Sequence, residues 1–177
     1  MLLFLVLFIV YQISANHIFT NMLRVEGEAR RARHEVPTSV TEGLRARIDS
    51  ALYLRREWKD TIEIRGWAFK EGADRSHYDA YIILESEIRV YVYNTSLYIR
   101  MDIPQHFGEQ ISKNLSQSGF SAAIPLDAID DGTYRVGILL RNRYTGEVYY
   151  NPGSITRSLL IRGTTVEFPV DATDVLY

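Results

Sequence analysis

The chain contains no cysteine. That excludes a disulfide framework, thiolate metal sites and a cysteine nucleophile, and it leaves the redox compartment open, since a cysteine-free chain fits either one. A charge excess is missing too: 20 basic residues face 22 acidic ones, a formal net charge of -2. Nucleic-acid surfaces carry a basic surplus, so no nucleic-acid partner is expected. Histidine is scarce, and His17, His34, His77 and His106 include no pair at metal-ligand spacing. Neither a phosphate-cradling glycine loop nor a nucleophile elbow is present. The carboxylates Asp130 and Asp131 sit beside Gly132, where a solvated turn is the plainer reading and calcium would need more oxygen ligands. No catalytic residue, metal or cofactor is therefore expected.

What is present is an ordinary globular balance, 46% hydrophobic and 24% charged over 177 residues, enough for one domain plus a tail. Residues 1–10 are an unbroken apolar run, and a weaker apolar stretch continues to residue 19. A membrane-spanning helix needs roughly 17–25 mainly apolar residues, which 1–19 just supply. The expectation is an uncleaved single-pass anchor, although Ile13-Ser14-Ala15 leaves a cleavage point open and further spans upstream are another alternative. Arg24, Arg30, Arg31 and Arg33 follow the run and favour a cytoplasmic carboxyl side. An extracytoplasmic domain is preferred nonetheless. The helix is expected to continue through residue 35, helped by the Glu26–Arg30 spacing, and to stop at Pro37. Residues 36–44 read as a linker, 45–165 as the globular part and 166–177 as a last strand or tail.

From residue 45 the text becomes short alternating strands separated by turn residues, which predicts an all-β, Ig-like antiparallel sandwich of about seven to nine strands. Residues 48–54 open it. Residues 62–69 follow, and there Gly66 stands beside Trp67; the glycine is expected to give the ring a place to lie in the sandwich core. Ile88, Val90 and Val92 alternate on one face, beyond a hairpin tip at Ser86 and Glu87. Tyr98 to Met101 reads as a strand ended by Pro104. Residues 105–117 have no strand pattern. Phe120, Ala122 and Ile124 then share a side, as do Tyr134, Val136, Ile138 and Leu140. Pro169 demotes the last apolar stretch to an edge strand or tail.

Several short motifs fall in one order: Gly66-Trp67-Ala68, Arg100-x-Asp102-Ile103 with Phe107 beyond it, Ser118-Gly119-Phe120, then Leu126 and Ile129 before Gly132-x-Tyr134. In this the chain resembles the β-sandwich accessory module attached to many bacterial glycosyltransferases, sulfotransferases and methyltransferases. The resemblance covers roughly residues 48–150. It implies an Ig-like fold and an accessory, non-catalytic role. No transferase domain accompanies the module here, so the companion chemistry is not carried over.

Two candidate sites remain. Arg100 and Asp102, two apart on an expected strand, share a face and read as a structural pair, Asp102 tying down the long loop and Arg100 bridging strands; ligand binding is the alternative. Tyrosine is abundant, with 12 residues, and Tyr91, Tyr93, Tyr98, Tyr144, Tyr149 and Tyr150 offer an exposed aromatic platform for a sugar or protein. The competing reading is that tyrosine simply suits strands. The function expected is a membrane-anchored binding or adaptor module, held in the membrane by residues 1–19, whose partner is a glycan or envelope protein. The alternatives are a self-associating subunit of a filament or envelope assembly, and the accessory part of a carbohydrate-modifying enzyme.

Overall fold

Alternation at period two, interrupted by Gly, Asp and Asn, makes strands, and strands fill the computed structural model that describes residues 36–37, 41–56, 59–108, 110–152 and 158–168. In chain order these are β1 (Leu44–Arg56), β2 (Lys59–Lys70), β3 (Tyr78–Glu85), β4 (Val90–Asn94) and β5 (Ser96–Tyr98), then a short helix α1 (Asp102–Phe107). After it come β6 (Gly119–Pro125), β7 (Gly132–Asn142), β8 (Val148–Asn151), β9 (Ser158–Arg162) and β10 (Thr165–Glu167). The first sheet runs β1-β2-β6-β5 and the second β10-β9-β7-β3-β4. β8 and β9 share one side of β7, at residues 138–141 and 132–135 respectively. Every named pair is antiparallel.

The two sheets close on a single apolar layer, in which Ile62, Ile64 and Ala68 meet Ile82, Leu84, Ile138 and Leu140. The expected inward sets are all there: Phe120, Ala122 and Ile124 from β6, and Tyr134, Val136, Ile138 and Leu140 from β7. The molecule is an all-β sandwich. Among the described residues no helix is long and apolar enough to cross a membrane; the expected anchor at 1–19, its continuation to 35 and the tail beyond Phe168 lie outside the described residues.

Three expectations need correction. Gly66 and Trp67 are neighbours on a strand, so they point to opposite faces. Gly66 faces the inter-sheet layer, where a Cβ would lie 2.1 Å from the Arg47 carbonyl oxygen and 2.7 Å from the Phe120 ring. It therefore makes room for β1, whose register shifts between Ile48 and Ser50, rather than for the indole. Trp67 is 2% exposed, but in a separate cluster on the outer face with Phe69, Ile103 and Leu115. Phe107 meets it edge-on at 5.4 Å and Phe69 stacks on it at 5.7 Å. The lid over this face is α1 and the segment behind it.

Second, Pro104 does not end a strand. It occupies the first turn of α1, where its missing N–H costs no hydrogen bond. Gly108, at φ 77°, then returns its N–H to the Pro104 carbonyl and closes the helix. Third, Ile88 belongs to the β3–β4 turn and is 85% exposed, while Val90 and Val92 face outward and the tyrosines of β4 face in.

Candidate functional site

The six tyrosines do not share a surface. Tyr91 and Tyr93 point into the sandwich, stack at 6.4 Å and are buried. The Tyr93 hydroxyl donates to the Ala128 carbonyl, and that of Tyr91 to the Asp130 carboxylate. Tyr150 is buried on the outer face of the second sheet, its hydroxyl donating to Glu85; burial, and then the Glu85 charge, pushes it up to about 12. Tyr98 is half-buried against the Gly66 carbonyl. Tyr149 packs on Tyr78 at 5.7 Å. Only Tyr144 of the set is freely exposed, at 77%, on the β7–β8 turn. The exposed platform is thus not formed. A sandwich end needs long rings that fill the layer and still deliver a hydroxyl to polar corner atoms, and β4 supplies them.

Arg100 and Asp102 do come together, with a partner that spacing does not disclose. Asp102 opens α1 instead of sharing a strand face. The guanidinium grips it with two parallel bonds, Nε to Oδ1 at 2.8 Å and Nη2 to Oδ2 at 2.6 Å, and sends Nη1 to Asp49 Oδ2 at 2.5 Å. The Arg100 hydrogen bonds hold the Asp102 carboxyl below its ordinary value, and the same bonds raise Arg100. One side chain thus ties β1 to the root of the lid over Trp67. A hollow of about 420 Å³ beside it is lined by Trp67, Arg100, Asp102, His106 and Phe107 among others.

A larger open groove, about 980 Å³, runs along one end of the sandwich between the β3–β4 turn and the 130–135 segment. Four of its charged groups are held in two pairs. Arg135 Nη2 meets Glu85 Oε2 at 2.5 Å, and Arg89 meets Asp130. Asp130 also receives the Tyr91 hydroxyl, while its carbonyl accepts from Tyr134 at 2.7 Å. Asp130 and Asp131 are exposed, as the expected solvated turn requires, and Asp131 Oδ1 accepts the Gly163 N–H of the β9–β10 turn at 2.9 Å. Exposed Ile88 and Arg89 form the rim. Alternation gave no warning of this groove, because it forms where turns meet the ends of β3, β7 and β9.

Arg75 was equally unannounced. It is 1% exposed, with Nε donating to the Ala68 carbonyl at 2.8 Å and Nη1 to that of Tyr78 at 2.6 Å. Burial pushes it down to about 10, so it stays protonated at neutral pH. Among the described residues no group of three or more His, Asp or Glu side chains is placed to hold a metal ion. Comparison of the chain with family models, with curated proteins and with solved structures returned no match.

Proposed function

We propose that the chain is a non-catalytic, membrane-anchored binding module whose sandwich offers the groove beside Arg89 and Asp130 to a glycan or protein partner of the cell envelope. The observation that carries this is the groove's construction. Guanidinium–carboxylate pairs line an open trough of about 980 Å³, with Asp130 held from behind by the buried Tyr91 and Tyr134 and Glu85 by the buried Tyr150. Prearranged donors and acceptors of both kinds suit a hydroxyl-rich or mixed polar partner, and an apolar rim residue such as Ile88 suits its carbon face. An open trough fits an extended ligand better than an enclosed small molecule.

The sandwich reads as Ig-like on two grounds. Strands β1-β2-β6-β5 face β9-β7-β3-β4, and Tyr134, near the start of β7, bonds back to the Asp130 carbonyl in the manner of a tyrosine corner. The accessory-module resemblance draws support from the structural use of its residues: Trp67 with Phe107, Arg100 with Asp102, Tyr134 at its corner.

The test is binding of the full-length chain in detergent to a glycan array and to envelope-protein extracts, beside Ile88→Ser and Arg89→Ala, with Tyr144→Ala as control. Binding lost in the first two at unchanged melting temperature is expected. No ligand, or equal binding by all variants, sinks the reading. A second reading, a subunit of an envelope assembly, is favoured by one observation: Ile99 and Met101 stand exposed just beyond β5, the outermost strand of the first sheet. Sedimentation of the full chain decides it, since a single monomeric species excludes assembly.

A further inference from the structure

A strand at the border of a sheet leaves one row of backbone N–H and C=O groups unpaired, and folded proteins commonly guard such rows with charged side chains. The first sheet guards one border and not the other. β1 sets Arg45, Arg47, Asp49, Arg55 and Arg56 along its length. β5, at the opposite border, is Ser96-Leu97-Tyr98 and carries no charge. Leu97 is 42% exposed there, and Ile99 and Met101, just beyond, are 70% and 61% exposed.

Two contacts fix how this border faces. The Arg100 N–H donates to the Ser116 carbonyl at 2.7 Å, on the β6 side. The Tyr98 carbonyl points the same way, 2.6 Å from where a Cβ on Gly119 would stand. Backbone groups alternate along an extended strand, so the N–H and C=O of Leu97 and Ile99 point away from β6, toward the open side. Leu97 lies opposite Phe120, whose side chain belongs to the inter-sheet core. Leu97 and Ile99 therefore project on the inner side of the sheet, at its lip. An apolar lip beside a free row of hydrogen-bonding groups is a template for one more strand.

The residues select a second copy of the same segment as that strand. A two-fold axis at Ile99 sets Ile99 against its own counterpart, Leu97 near Met101, and Tyr98 beside Arg100, ring against guanidinium. The one charge in residues 96–101 thus meets an aromatic ring and not its own kind. It is also neutralised within its own chain by Asp49 and Asp102. We propose that two copies of the chain pair antiparallel through residues 96–101, which joins their first sheets across the contact. A border of roughly 20 Å is small for a permanent interface, so the dimer is reversible. The inference rests on the assembly reading, gives it a surface, and leaves the groove at Arg89 and Asp130 uninvolved.

A cysteine-free chain makes the test direct. Ile99→Cys in the full-length protein in detergent is oxidised mildly beside Leu52→Cys and Tyr144→Cys, which place the thiol at exposed positions elsewhere. A covalent dimer formed several-fold faster by Ile99→Cys is the expected result. Sedimentation up to about 1 mM is then run on the parent, Ile99→Lys and Leu52→Lys. The parent is expected to dimerise with rising concentration, Ile99→Lys to do so at least about ten-fold more weakly, and Leu52→Lys to match the parent. Melting temperatures close to that of the parent establish that each variant has folded. A parent that stays monomeric throughout removes both this dimer and the assembly reading. Association that Ile99→Lys leaves unchanged, or cross-linking no faster than in the controls, overturns the proposal alone and leaves assembly through another surface.

Discussion

Both sheets of this sandwich carry apolar outer faces, and the two are covered from different places. On the first, Trp67 and Phe69 lie under α1 and the chain that follows it, a lid supplied some thirty residues downstream and fastened by Arg100 to Asp49 and Asp102. On the second, Ile83, Leu139, Val92 and Tyr150 are met by Val36, which arrives from the amino-terminal side. The first lid belongs to the sandwich and folds with it. The second links the sandwich to whatever precedes it. An apolar outward residue on a strand is thus a requirement for a partner, and the partner's position in the chain decides whether it is structural or architectural.

The largest effect expected is on the first face. Trp67→Ala removes the centre of a closed aromatic cluster and is predicted to cost about 3–5 kcal/mol in urea unfolding. Adding Phe107→Ala should then cost less than it does alone, because both changes open the same cavity. On the second face, Leu139→Ala is predicted to cost about 2–5 kcal/mol in the full chain, as a fully covered leucine should. A loss below about 1 kcal/mol would mean the face is bare and would erase the parallel between the two.

How much of this was readable in the sequence follows from whether charged residues mark the outer side of each strand. β6 and β7 present one strong inward set each, and alternation located Phe120, Ala122, Ile124 and the Tyr134–Leu140 series without error. β2, β3, β4 and β7 are all buried on both sides over part of their length; on β7 the outward Arg135 and Arg141 still mark the phase, whereas Gly66 to Phe69 of β2 and Val90 to Tyr93 of β4 carry no charge to do so. That is why Gly66 was paired with the wrong neighbour and why the valines of β4 stood where its tyrosines belong. The lid was hidden by Pro104, which reads as a strand terminator and serves as a helix first turn. At the candidate sites, Arg100 and Asp102 were legible as a local pair. Asp49, 51 residues away, was not. Nothing in the spacing around Arg75 marks it as buried, and only the fold shows that two carbonyls take it inside.

A smaller effect should follow from changing the fastening of the first lid without removing its charge. Arg100→Lys keeps a cation near Asp49 and Asp102 but loses the planar fork that engages both. The loss is predicted at about 1–2 kcal/mol. Asp102→Asn in the Arg100→Lys background should add little, whereas in the parent it should cost nearly as much as Arg100→Lys itself. Additive costs would show that Arg100 and Asp102 do not act as a unit.

The smallest effect distinguishes the faces by pH. Asp74 accepts from Asn114 Nδ2 at 2.8 Å and from the Ser76 hydroxyl at 2.6 Å, and a backbone bridge joins it to Lys113 at the end of the lid segment. The Asn114 and Ser76 hydrogen bonds hold its carboxyl down to about 2, against about 3.9 in an unfolded chain. A carboxyl depressed in the folded state contributes stability that is fully present above about pH 4 and is lost as pH falls through about 2. Because the group is partly exposed, the contribution should stay below about 1 kcal/mol. Acid should therefore raise amide exchange in residues 110–115 before it does so in β3 and β7, and Asp74→Asn should remove the difference between neutral and acid pH. If β3 and β7 loosen first, the second face is the weaker of the two, and the lid that folds with the sandwich is not the one acid releases.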